Sequence, residues 1–96
     1  APDDSLEGEV LFADRFGNLV TNISVDELRR LSHRRPQPTV YLAGQPIGPI
    51  RQTYAEVPPG EPVALLGSAE MLEIAVNCGS AAERFKATAG AHVLLK

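Results

Sequence analysis

No apolar stretch in this chain runs far before a turn signal cuts it. Asp14 to Gly17, Gly44-Gln45-Pro46, Pro58-Pro59-Gly60, Gly67-Ser68, Gly79-Ser80 and Gly90 punctuate the sequence, and the runs between them have strand lengths. Residues 9–13 and 18–23 read as two strands joined by the Asp14–Gly17 turn. Residues 39–43 and 47–50 read as a hairpin about Gly44-Gln45-Pro46, and residues 52–56 as an extended continuation. Residues 63–66 and 71–77 are the most apolar strands, and 92–95 a closing one. In the 71–77 strand, Leu72, Ile74 and Val76 face one way, and Met71, Glu73 and Ala75 the other. Helix signals occur twice. Ser24 and Glu27 have capping-box spacing, which predicts a helix to about residue 32 with Val25, Leu28 and Leu31 inward, stopped by Pro36 and Pro38. Ser80 and Glu83 repeat that spacing. Many short strands with two helical turns make the chain all-β, a small barrel or a sandwich.

Ninety-six residues form one domain, small for a complete metabolic enzyme. With 44% hydrophobic residues, no Trp, two Tyr and three Phe, its core must be mostly Val, Leu, Ile and Ala. Residues 1–7 read as a polar linker or boundary, and 8–96 as the folded domain. A net charge of -3 and a pI of about 5.3 argue against a nucleic-acid partner, whose footprint is basic. The one basic cluster, Arg29, Arg30, His33, Arg34 and Arg35, sits where cations favour a helix C-terminus, and reads as a solvated helix end. The single Cys78 has no internal disulfide partner, and no metal-ligand spacing occurs. No apolar run approaches the ~20 residues of a membrane span, and no secretory leader pattern appears, so a cytoplasmic protein is expected. The Asn22-Ile23-Ser24 match to a glycosylation acceptor then carries no meaning.

Chemistry is sparse. Nucleophilic catalysis needs a base held beside the nucleophile, and no motif here joins Ser, Cys78, His33 or His92 in that way. Both histidines read as structural or solvated, Cys78 as a small buried or semi-buried thiol, and Glu73 as facing solvent. Binding has better support. Phe16-Gly17-Asn18 sets a ring two residues from a carboxamide, a pairing suited to a planar heterocycle. A second polar strand-end group runs from Gly67-Ser68 to Asn77-Cys78-Gly79. The same residues also admit a reading in which the glycines serve turns, Phe16 is core and Asn18 satisfies its own turn.

DRFGNLVTNI, TYAEVPPGEPVAL, GSAEMLEIAVNCGSAAE and AGAHVLLK, in that order from Gly8 to Leu95, resemble the C-terminal domain of the S-adenosylmethionine (SAM) hydroxide adenosyltransferases. These are adenosine-forming SAM hydrolases, in one superfamily with fluorinases and chlorinases. The resemblance implies a small closed Greek-key-like β-barrel with one or two short helices, following an α/β N-terminal domain. It implies trimers in which SAM lies between one subunit's N-terminal domain and its neighbour's C-terminal domain. By resemblance, Phe16 and Tyr54 would wall the adenine and Asn18 would hydrogen-bond its edge. Val76 and Cys78 would meet that edge through backbone groups, and Ser68 would approach the methionine carboxylate or amine. Ala69 stands where halogenating members carry an Arg, which favours the hydrolase branch. The family's water-activating Asp, Arg and His belong to the N-terminal domain, so Asp14, Arg15, His33 and His92 take no catalytic role.

The implied reaction is attack of water or hydroxide on ribose C5′ with methionine leaving from the sulfonium, SAM being the substrate, with no cofactor and no metal. This domain would supply positioning alone. Three other readings compete: a non-enzymatic barrel for assembly, with an exposed apolar face about Leu72–Val76; a halogenase C-terminal domain; and an oligonucleotide-binding barrel, which needs aromatics in a basic groove.

Overall fold

The computed structural model describes residues 5–67 and 70–96. Its strands are β1 (Leu6–Ala13), β2 (Leu19–Ser24), β3 (Thr39–Leu42), β4 (Gln45–Arg51), β5 (Pro62–Leu66), β6 (Met71–Val76) and β7 (His92–Leu95). Two short helices, α1 (Val25–Ser32) and α2 (Ala81–Phe85), and a 3-10 turn at Tyr54–Glu56 interrupt them. The strands close into a barrel in the order β1-β2-β6-β5-β4-β3-β7, with β7 paired back to β1. Closure leaves no free sheet edge. β7 returns across the barrel to lie between β1 and β3.

β1 begins at Leu6, ahead of the expected residue 9, because Leu6, Glu7 and Gly8 pair with Leu95, Leu94 and Val93 of β7. Buried residues alternate cleanly in β3 and β7, and the strands together fill the barrel with Leu and β-branched side chains. Val10, Leu19, Ile23, Val40, Leu42, Leu72, Ile74, Val93 and Leu95 are all buried there. Thr21 is a polar member of this interior. β2 shifts register against β6 between Val20 and Ser24, and the Thr21 hydroxyl bridges the irregularity. It donates to the Leu72 carbonyl at 2.8 Å and accepts from the Ile23 N–H at 3.2 Å.

The helices form as their caps dictate. The Ser24 hydroxyl accepts from the Glu27 N–H, and the Glu27 carboxylate accepts from the Ser24 N–H. That reciprocal box starts α1, which drives Leu28 and Leu31 into the core. Ser80 caps α2 through the Glu83 N–H.

Two further expectations fail. Residues 52–56 are not extended. Thr53 and Glu56 form a further reciprocal capping box, which folds Tyr54–Glu56 into a 3-10 turn. The topology requires such a detour: β4 and β5 are parallel, and parallel neighbours cannot be joined by a tight hairpin. The crossover lies over the outside of the barrel, where Val57 packs on Val63, Leu65 and Ala75. The second failure concerns the apolar face about Leu72–Val76. Leu72, Ile74 and Val76 point into the core and Ala75 is covered by that outer cluster, so no exposed apolar face remains there.

Candidate functional site

Three chain connections meet at one open hollow. The β1–β2 turn brings Phe16 and Asn18, the crossover brings Tyr54, and the segment after β6 brings Val76, Asn77, Cys78 and Gly79. The hollow has a volume of about 290 Å³, just under the ~300–1,000 Å³ of small-molecule pockets.

The β1–β2 turn is built by Asp14. Its carboxylate accepts from the Phe16 N–H at 2.9 Å and the Asn18 N–H at 3.0 Å, as Asp does in turns. The backbone closes the same loop, with the Asp14 N–H donating to the Asn18 carbonyl and the Gly17 N–H to the Asp14 carbonyl. Gly17 has φ +83° and lies so close to Ser80 that a Cβ there would overlap the Ser80 side chain. Only glycine combines that backbone with that approach. The Gly17 carbonyl accepts from the Ala82 N–H at 2.9 Å, docking the turn on α2. Phe16 is held out, 66% exposed, with the Arg15 guanidinium 5.0 Å from its ring centre. An aromatic ring so exposed is not core, which removes half of the turn-and-core reading. Asn18 is buried at 9% and donates from Nδ2 to the Tyr54 hydroxyl at 3.2 Å.

The Tyr54 turn is fixed from two sides. The Glu56 carboxylate accepts from the Thr53 N–H and the Gln52 N–H, and these two bonds, in that order, hold its pKa below the ordinary carboxylate value. Further along, the Asn77 side chain donates to the Val57 carbonyl at 2.8 Å, while the Val57 N–H donates to the Tyr54 carbonyl. The sequence puts Asn77 among the ligand-facing polar groups. Asn77 does line the hollow, and its amide nitrogen also ties the crossover to the end of β6. Cys78 sits in left-handed backbone at φ +61° and its thiol is exposed, contrary to the buried or semi-buried thiol expected.

Phe16, Asn18, Tyr54, Val76 and Cys78 therefore come together, from segments far apart in sequence. Ser68, the other predicted site residue, and Ala69 lie outside the described residues. Sequence reasoning missed Glu56, although Thr53 and Glu56 carry the same spacing that marked the two helix caps. Glu73 lies beyond the hollow on the outer side of β6, with its carboxyl against Gly67. Partial burial, and then the charge of Asp14, raise its pKa, so it is not the fully solvated carboxylate expected. His92 is exposed and faces Glu7 at 3.0 Å. Among the described residues no cluster of His, Cys, Asp and Glu gathers as metal ligands, and no helix is long and apolar enough to cross a membrane.

The connections of this small closed barrel set two rings, a carboxamide and backbone groups around one open hollow, and among the described residues its lining holds no His, Asp or Glu. The family model for the SAM hydroxide adenosyltransferase C-terminal domain matches residues 8–94, and the chain belongs to that family. It is 45% identical over 89 residues to the (R)-S-adenosyl-L-methionine hydrolase of Thermus thermophilus, a match covering 93% of this chain and 31% of that protein. Among solved structures, a conserved hypothetical protein from Thermus thermophilus aligns at TM-score 0.74 and 44% identity, over 94% of this chain and 34% of that one. An uncharacterized conserved protein from Thermotoga maritima aligns at TM-score 0.81 and 29% identity, over 99% and 37%. The chain thus spans about a third of the length of these relatives.

Proposed function

We propose that this domain recognises the adenosine part of SAM within an enzyme that hydrolyses SAM to adenosine and methionine. The observation that carries the reading is the convergence of Phe16, Asn18, Tyr54, Val76 and Cys78 on one hollow in a chain of this family. The Phe16 and Tyr54 rings supply flat apolar surface for a purine. Asn18 offers a carboxamide for the base edge, backbone groups at Val76 and Cys78 complete that edge, and Ser68 serves the methionine end.

In the reaction, a C5′–O bond forms from water or hydroxide as the C5′–S bond breaks. The electron pair stays on sulfur, giving methionine as a neutral thioether, and the attacking water loses its proton. A sulfonium leaves readily, so holding the nucleoside in line is the contribution asked of this domain. Water activation falls to an N-terminal domain, and the hollow is completed by that domain of the same or a neighbouring subunit, in a homotrimer. No cofactor or metal enters this scheme. The hydrolase named as a relative favours water over halide as nucleophile.

The test is Asn18→Ala in the full-length protein. Removing a base-edge partner weakens binding by about 1–3 kcal/mol, so KM for SAM should rise by about fivefold or more while kcat changes little. Unchanged turnover and KM would remove Asn18 from base recognition.

A further inference from the structure

We infer that Tyr54 is a positioning residue for base recognition, acting through Asn18 by way of its hydroxyl; this rests on the adenosine reading above. An Asn carboxamide rotates about a broad two-fold torsion, so an unheld amide presents its edge poorly. Here the amide is held from one side. Asn18 Nδ2 donates to the Tyr54 hydroxyl at 3.2 Å, across a long stretch of chain. Among the described residues the structure gives the Asn18 carboxamide oxygen no protein donor, yet it is not a sealed, unsatisfied atom. That oxygen is left to accept from a ligand in the hollow that Asn18 lines.

Both ends of this hydrogen bond are delivered by locked backbone. Asn18 comes from the turn that Asp14 closes and Ala82 anchors. Tyr54 comes from the 3-10 turn that Glu56 caps and Asn77 ties to the end of β6 through Val57. The crossover and the β1–β2 turn thus meet through one side-chain bond over the hollow. A Phe at position 54 would offer the same ring surface and leave the amide unheld. The hydroxyl is therefore separable from the ring, which makes the inference testable by a single oxygen.

The experiment compares four full-length proteins, the parent, Tyr54→Phe, Asn18→Ala and the double variant, by calorimetric titration with adenosine and by SAM kinetics. A net hydrogen bond of about 0.5–1.5 kcal/mol corresponds to roughly a two- to twelvefold change in Kd. Tyr54→Phe should weaken adenosine binding by that factor in the parent and by less than about twofold when Asn18→Ala is already present, the non-additivity of a coupled pair. KM for SAM should follow Kd, with kcat held. An equal loss in both backgrounds would mean the hydroxyl meets the ligand directly and would overturn the inference. No loss in the parent background would overturn it too, while leaving adenosine recognition standing. A parent protein that binds no adenosine would overturn the function itself and this inference with it.

Discussion

At the scale of single residues, the β1–β2 turn shows how one small position can govern a site. Gly17 must adopt left-handed backbone, and its α-carbon lies against the Ser80 side chain at the start of α2. Gly17→Ala would add left-handed strain of about 1–2 kcal/mol and overpacking of about 1–3 kcal/mol. A loss of stability of about 2–5 kcal/mol is expected by urea unfolding, together with weakened adenosine binding, because Phe16 and Asn18 flank the position. Thr21 makes a different case, since its burial is complete and its hydroxyl serves two backbone groups. Thr21→Val keeps the shape but removes the hydroxyl that serves the Leu72 carbonyl and the Ile23 N–H. That should cost about 1–3 kcal/mol with no effect on ligand affinity in the folded protein.

At the scale of elements, what the sequence reveals depends on whether local chemistry decides the structure. The caps at Ser24 and Ser80 were legible because a hydroxyl reaches the backbone N–H three residues on within one turn, and at Ser24 the Glu27 carboxylate answers it. The Thr53–Glu56 turn follows the same rule. It was hidden because no Gly or Pro separates residues 52–56 from the strand before them, and only the parallel pairing of β4 with β5 demands a crossover there. The orientation of Asn77 was not legible at all, since its partner, the Val57 carbonyl, is placed by that crossover. Glu73 was half legible. Alternation put it correctly on the outer side of β6, but its contact with Gly67 and the nearby Asp14 charge come from tertiary packing. Burial raises its folded pKa above the ordinary 4.5, so the folded state holds this proton longer than the unfolded chain does. The stability it lends is present at acid pH and is lost as pH rises from about 4.5 through the raised folded value. Glu73→Gln removes the titration. The variant should be the more stable protein at pH 7, by less than about 1 kcal/mol given the partial exposure of the carboxyl. That advantage should shrink as pH falls and vanish well below pH 4.5 in urea unfolding; an equal advantage at both pH values would assign it to packing instead.

At the scale of the molecule, the barrel and the hollow are held by different parts of the chain, and this separates stability from recognition. β7 closes the barrel by pairing with both β1 and β3, and Leu95 at its end is wholly buried. None of its residues lines the hollow, which is assembled from the β1–β2 turn, the β4–β5 crossover and the segment after β6. Each of those connections is fixed by its own hydrogen bonds: the Asp14 carboxylate, the Thr53–Glu56 box, and the Asn77 amide. Leu95→Ala empties core volume at the seam, and should cost about 2–5 kcal/mol of unfolding free energy. Because the connections are locked locally, adenosine affinity measured well below the lowered melting temperature should stay within about twofold of the parent, the change expected of a distant site that does not couple. Tyr54→Phe should do the reverse, weakening affinity with little loss of melting temperature, since its ring is partly exposed and outside the core. If Leu95→Ala weakened binding in proportion to its loss of stability, the hollow would depend on global barrel closure, and local locking by Asp14, Glu56 and Asn77 would not be what shapes it.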